Sequence, residues 1–281
     1  MRKYTFVVMM MSALFLAGCW GTKDSGSFFD DEEEEADSLE SSFSGDTLHL
    51  FEEEEIPVSV DELFDDFFFS FADDPHFQSQ RINFPLACKD GDETISLSKQ
   101  EWKEYNRFNT QDFYSVIYER EEDLELQKDT TIQEVGVEWI YLQENYVEKF
   151  NFRRMNGKWT LVDIVKESEE STPNGDFLKF YAGFIADSIS QRESISQPLK
   201  LILTATDGDD EQVEQLTIDQ WYDLKKDLPF PKDALVNIDY GQSSISQNRK
   251  TLLMEGVSNG LQMKFKFDKR NGEWKLIEIE Y

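Results

Sequence analysis

Two acids occupy matching places in two matching stretches of this chain. Asp163 lies in "NGKWTLVDI" (Asn156–Ile164) and Glu278 in "NGEWKLIEI" (Asn271–Ile279). A carboxylate on a core-facing strand has its charge desolvated, which raises its pKa and lets it bind or transfer a proton. Whether these acids face a core depends on hairpin register. A two-residue Asn-Gly turn sets Phe152 opposite Leu161 and Phe150 opposite Asp163. That places the acid on one face with Trp159, Leu161 and both phenylalanines. A three-residue loop with a bulge shifts the register by one and turns Asp163 to solvent, and Val162 and Ile164 then take the core face. The sequence admits both.

Other chemistry-bearing residues are few. The chain has two histidines and two cysteines. His49 lies in an acidic stretch. His76, in "DDPHFQ", reads as a solvated loop residue, and Ile189 stands at the matching place further on. Cys88 follows the apolar run of "INFPLACKD" and reads as a small buried hydrophobe, with a reactive thiol as the alternative. So few His and Cys argue against a zinc site. No Gly-x-Ser-x-Gly, His-Glu-x-x-His or phosphate loop occurs, and no cofactor is implied. Trp102, Trp159, Trp221 and Trp274 hold matching positions and read as core rather than as ligand-stacking platforms.

The elements that position these residues recur along the chain. Phe64, Phe67, Phe68 and Phe71 match Phe177, Phe180, Tyr181 and Phe184, each set one apolar helix face at i, i+3, i+4, i+7. Ile82, Pro85 and Leu86 match Ile195, Pro198 and Leu199. Ser98-x-x-Glu101 before Trp102 matches Thr217-x-x-Gln220 before Trp221, both capping boxes. Ser59-x-x-Glu62 reads as a cap for the first helix and Asp176 for its counterpart. Four strand-like runs follow in each copy, and Asn156-Gly157 and Asn271-Gly272 each join the last two as a hairpin. The spacing predicts an α+β fold in two tandem repeats, residues 59–168 and 176–281, with 169–175 as linker. Each has amino-terminal helices packed on a curved antiparallel sheet, a four-stranded meander. Two such domains on a polar linker are expected to unfold separately.

Aromatic residues are plentiful enough for real cores, with 23 Phe, 10 Tyr and 6 Trp. Lys plus Arg total 28 against 58 Asp plus Glu, a formal charge of -30. That balance excludes a cationic face for nucleic acid and for anionic lipid. It reads as a soluble, self-repelling surface and leaves a cationic partner or ligand open. Residues 20–60 hold fourteen acids and one base, Lys23. Such runs cannot bury enough apolar surface to offset ordering entropy, so 19–58 reads as a disordered tether. Solid glutamate runs lack the spacing and turning glycine of a calcium loop.

The chain begins "MRKYTFVVMMMSALFLAGCW". Arg2 and Lys3 precede an apolar run too short to span a bilayer comfortably, and Leu16-Ala17-Gly18-Cys19 resembles the bacterial lipobox. The resemblance implies a signal peptide over residues 1–18, diacylglycerol on the Cys19 thiol and acylation of the new amino terminus. Two or more acyl chains anchor a protein stably. The implied location is the cell envelope, at the outer membrane, on its periplasmic or outer side. The acids after Cys19 resemble a surface-export signal.

The order of elements is similar to that of the nuclear transport factor two-like (cystatin-like) superfamily, a cone of curved sheet around a long helix. The lipobox, acidic spacer and two such copies together resemble a lipoprotein family of Gram-negative anaerobes, domain of unknown function 4348. The leading expectation is a non-enzymatic envelope binding module for a small ligand, peptide or protein. The alternatives are a hydrolase or isomerase using a pocket carboxylate, and a structural spacer or assembly partner.

Overall fold

In a computed structural model of the chain, residues 59–204, 211–228, 230–231, 234–244, 248–257 and 260–281 are described. The expected signal peptide and tether, with Cys19 and His49, lie outside them. The helix spacing of the first phenylalanines produces α1 (Phe64–Asp73), whose Phe64, Phe67, Phe68 and Phe71 are all buried. Leu63 stands at its start with no side-chain cap. The expected Ser59–Glu62 box is therefore not a helix cap. Ser59 O accepts from the Glu62 N–H at 2.8 Å in a turn. Asp61 holds this turn away from the helix, because Arg81 donates to its carboxylate at 2.7 and 2.8 Å and the Trp159 N–H at 2.9 Å. Asp176 is likewise no cap. It lies in the first turn of α4 (Gly175–Ala186) and accepts from Lys269 Nζ at 2.7 Å and Trp274 Nε1 at 2.9 Å.

The first half continues through α2 (Pro75–Gln80), β1 (Ile82–Asp90), β2 (Glu93–Leu97), α3 (Lys99–Tyr105), β3 (Phe113–Tyr118), β4 (Glu134–Tyr141), β5 (Tyr146–Met155) and β6 (Lys158–Ser168). The second runs from α4 through α5 (Ser188–Glu193), β7 (Ile195–Thr204), β8 (Glu211–Leu216), α6 (Ile218–Leu224), β9 (Leu235–Asp239), β10 (Arg249–Gly256), β11 (Gln262–Arg270) and β12 (Glu273–Glu280). The capping boxes at Ser98 and Thr217 both form, at the starts of α3 and α6. The stretch 169–175 carries a short 3-10 turn, Glu169–Ser171.

All twelve strands join one curved, open, mixed sheet in the order β2-β1-β6-β5-β4-β9-β3-β10-β11-β12-β7-β8. Read from the other edge, with strands six apart exchanged, the order is unchanged. This differs from two antiparallel meanders. β1 pairs with β6 in parallel, and so does β7 with β12. More consequentially, β3 does not pair with β4. It lies against β10 of the second half, while β9 fills the place beside β4. Local signals could not show this exchange. A two-residue turn fixes which strands pair, but β3 and β4 are separated by residues 119–133, and β9 and β10 by 240–248. Connections of that length let a strand cross to an equivalent edge, as in domain swapping.

The exchanged strands meet in parallel at one pair, Ser115 with Asn237. Side chains supply what this thin ladder lacks. Asn237 Oδ1 accepts from the Ile117 N–H at 2.9 Å, its Nδ2 donates to Glu138 at 2.8 Å, and Ser115 Oγ donates to Val236 O at 3.0 Å.

Side chains alternate across a strand, so the central strands feed two cores. Val116 and Tyr118 of β3, Val236 and Ile238 of β9 and Leu253 of β10 join the core under α1 and α3. Ile117, Leu235, Leu252 and Met254 join the core under α4 and α6. The two helix sets thus cover opposite faces of the shared sheet. Each half completes the other's core, which removes the basis for separate unfolding. The described residues all belong to one compact unit.

Candidate functional site

The two acids of the recurrent hairpin combine both sequence registers. Asn156 and Gly157 have φ of 52° and 78°, and Met155 pairs with Lys158, the two-residue turn that Asn-Gly favours. Phe152 pairs with Leu161 as that turn requires. A bulge then intervenes, so Asn151 faces Asp163 and Phe150 faces Ile164. Asp163 is turned off the aromatic face. It accepts from Asn151 Nδ2 at 2.6 Å and Lys89 Nζ at 3.2 Å. The second hairpin repeats the bulge, pairing Phe267 with Leu276 but Lys266 with Glu278. Glu278 accepts from Lys200 at 2.7 Å and Lys266 at 2.8 Å. Partial burial pushes the Glu278 pKa upward, but bonds to these two lysines outweigh it and hold the carboxyl below its ordinary value. Both acids are thus paired surface-side carboxylates rather than free pocket acids.

His76 lies in α2 rather than in a loop. Asp74 caps this helix by accepting from the His76 N–H at 2.7 Å, and the imidazole position is exposed. Cys88 is half-buried against the first core. Burial, followed by the charges of Glu148 and Asp163, pushes its thiol up to about 11, which disfavours the nucleophilic thiolate. Trp102, Trp159, Trp221 and Trp274 are all buried. Among the described residues, no three His, Cys, Asp or Glu side chains gather as a metal site would require.

A different constellation forms where α3 ends over β4 and β5. Tyr105 closes α3, Phe108 follows in a 3-10 turn, and Trp139, Tyr141, Glu148 and Phe150 rise from the strands. They line a notch with about 10 Å³ open to the centre of a water molecule, room for one water. Trp139 is 5% exposed, and its Nε1–H is buried without a partner. Leaving such a donor unpaired costs about 1–3 kcal/mol. Glu148 is half-buried and accepts from the Tyr141 hydroxyl at 3.4 Å. Arg107 donates to that same hydroxyl at 3.1 Å. Burial, then the nearby Glu148 charge, pushes the Tyr105 and Tyr141 phenols well above their ordinary range. Both stay protonated and serve as donors around the carboxylate.

The second half lacks this chemistry at the same ladder step. Val137 pairs with Phe150, and two residues on Trp139 pairs with Glu148. Leu252 pairs with Phe265, and two residues on Met254 pairs with Met263. Both methionines are buried in the second core. A larger groove of about 360 Å³ opens beside the Asn271–Gly272 turn. It is a surface feature whose Arg270 is 71% exposed and already paired with Asp268. The notch is smaller, but aromatic walls and a half-buried carboxylate line it together.

A family model described as "Domain of unknown function (DUF4348)" matches residues 45–281. The chain belongs to this family. Among solved structures, an NTF2-like protein from Bacteroides fragilis NCTC 9343 is 35% identical, with a TM-score of 0.72 over 80% of this chain and 98% of its own. The DUF4348 chain therefore has an NTF2-like fold. A second NTF2-like protein of unknown function, from Shewanella baltica OS155, is 16% identical over 38% of this chain and 87% of its own, with a TM-score of 0.25. No curated protein matches the chain.

For this DUF4348 member, sequence reasoning singled out acids that agree between the halves and passed over residues that differ. Tyr105, Trp139, Tyr141 and Glu148 were readable as a departure. Where the second half spells Met254 and Met263, the first spells Trp139 and Glu148. A polar pair facing a core that its counterpart fills with methionine is a signal for a site.

Proposed function

We propose that this protein is an envelope lipoprotein, anchored by acyl chains on Cys19, whose duplicated, cone-like NTF2 halves form one rigid binding module. The lipobox-like start and the acidic stretch of residues 19–58 support the anchor and the spacer. The matched elements and the sheet order support the duplication. The binding site is the notch of the first half, and the second half serves as its structural mirror. One observation carries this reading: the ladder step that is Trp139–Glu148 in one half is Met254–Met263 in the other. A purely structural pair would have no use for a half-buried carboxylate where methionine packs fully.

A binding role is favoured over hydrolase or isomerase chemistry by the state of the acids. Glu148, Asp163 and Glu278 all have hydrogen-bond donors. Asp163 and Glu278 are proposed as braces of the outer sheet surface rather than as pocket acids.

The test is co-purification from solubilised envelopes, comparing wild type with Glu148→Met, followed by mass spectrometry of bound lipids, glycans and peptides. A species retained by wild type and lost from the variant supports the reading. Identical sets from the two proteins overturn it. Labelled palmitate should enter wild type and not Cys19→Ala, and labelling of both would remove the anchor from the proposal.

A further inference from the structure

We infer that the notch takes a primary ammonium group carried on an alkyl stem, an assignment that rests on the binding reading above and names its ligand class. Glu148 lies between two lining phenols. Its Oε2 accepts from the Tyr141 hydroxyl at 3.4 Å, and its charge acts on Tyr105 as well as on Tyr141. Among the described residues it has no lysine or arginine within ion-pair distance. Acids of similar or deeper burial do. Asp61 has Arg81, Glu138 has Lys149, Asp163 has Lys89, and Glu278 has Lys200 and Lys266. Two cations of the neighbourhood are held elsewhere. Lys166 stands directly across the ladder from Glu148, but its Nζ sits over the Tyr146 ring, 4.2 Å from the centroid. Arg107 donates to the Tyr141 hydroxyl at 3.1 Å and is exposed, so water screens its charge. At Tyr141, which touches both, the pull of Glu148 exceeds that of Arg107. A partly desolvated carboxylate without a counter-charge favours a cation from outside.

The rest of the lining narrows the choice. A carboxylate offers acceptor sites only, and a primary ammonium supplies three donors and no acceptor. The Asn106 amide is committed at both ends, accepting from the Phe108 N–H at 3.1 Å and donating to Gln78 at 2.7 Å. Size selects among cations. A space of about 10 Å³ admits a head no larger than a water. An ammonium head meets that limit, whereas a guanidinium or a quaternary ammonium exceeds it. Phe108 and Phe150, with ring centroids 5.0 Å apart, line the notch and give the stem an apolar wall. An anion would bring its charge against Glu148, and a neutral hydroxyl would leave that charge uncompensated. The formal charge of -30 draws small cations toward the molecule. Met263 stands in the place of Glu148 in the second half, so one such site per chain is expected.

The test follows the ring resonances of Tyr105 and Tyr141 in the full-length protein in detergent, labelled with carbon-13 tyrosine and assigned by their loss in Tyr105→Phe and Tyr141→Phe. Butylammonium is the probe. Butanol is its neutral match, butyrate its anionic match and tetramethylammonium the oversized cation. Butylammonium should shift both resonances saturably, at least about ten-fold more tightly than the other three, as the loss of a bond to a charged group implies. Glu148→Gln keeps the shape and should weaken its binding by a similar factor. Arg107→Gln removes a like charge and should tighten it about two-fold or more. Asp163→Asn, an acid outside the notch, should leave it unchanged. Spermidine and Nα-acetyl-lysine methylamide, compared in the same way, separate a free polyamine from a partner's lysine side chain, the tighter binder naming the source. If butanol, butyrate or tetramethylammonium binds as tightly as butylammonium, or Glu148→Gln leaves binding unchanged, or Arg107→Gln weakens it, the ammonium assignment falls while the binding site stands. If no probe shifts either resonance, both fall.

Discussion

Replacing Trp159 with alanine tests the strand exchange through its energetics. Trp159 has no exposed surface. Its ring meets Phe64 edge-on at 5.1 Å and Phe67 at 6.5 Å, and the Arg154 guanidinium lies 4.8 Å above it. Truncating a buried aromatic costs about 3–5 kcal/mol, and the lost cation contact adds about 0.5–2 kcal/mol. Taking about 4 kcal/mol, and 2–4 °C per kcal/mol for a unit of this size, the midpoint falls by about 8–16 °C. The number of transitions matters more than their position. β9 completes the first half's sheet and β3 the second's, so neither core can empty while the other stays whole. Scanning calorimetry should show one transition, lowered as a whole. Trp274→Ala, at the matching place in the second half, should lower that same transition. Two transitions in Trp159→Ala, the upper one at the wild-type temperature, would refute the reasoning.

Three further changes follow from single contacts. Asn237→Ala strands the Ile117 N–H and removes a donor from Glu138, so a loss of about 1–3 kcal/mol per unpaired group is expected in urea titrations. Gly157→Ala forces a side chain into the left-handed region at φ 78° and should cost about 1–2 kcal/mol, measured in the same way. Burial pushes the Asp61 carboxyl upward, but the bonds from Arg81 and the Trp159 N–H and the Arg81 charge together outweigh it and hold the pKa below its ordinary value. Its stabilisation is therefore complete above the unfolded pKa of about 3.9 and lost as pH falls through the lower folded value. Asp61→Asn should cost about 3–5 kcal/mol near neutrality by leaving Arg81 underpaired. The gap to wild type in thermal midpoint should narrow as pH falls below the unfolded value.

Local patterns in the sequence were legible because their causes are local. The phenylalanine stripe of α1, the boxes at Ser98 and Thr217 and the Asn-Gly turns each follow from contacts within a few residues. The Ser59 box obeyed the same rule and still failed, since Asp61 is claimed by Arg81, distant in sequence. The bulge at Asp163 could not be chosen from alternation alone, because both registers bury aromatic residues. The exchange of β3 and β9 was hidden for a deeper reason. The two strands present equivalent edges, and hydrophobic pattern says that a strand is buried without saying by which partner. The site was missed because agreement between the halves drew the eye, whereas its chemistry lies in their disagreement at Trp139 and Glu148.

The binding claim meets its most direct test in native mass spectrometry of the full-length protein, extracted from envelopes in mild detergent, with wild type and Glu148→Met side by side. A discrete added mass on wild type, missing from the variant while both retain the same thermal transition, is the expected result. Spectra with no difference in bound mass between the two folded proteins would contradict the claim.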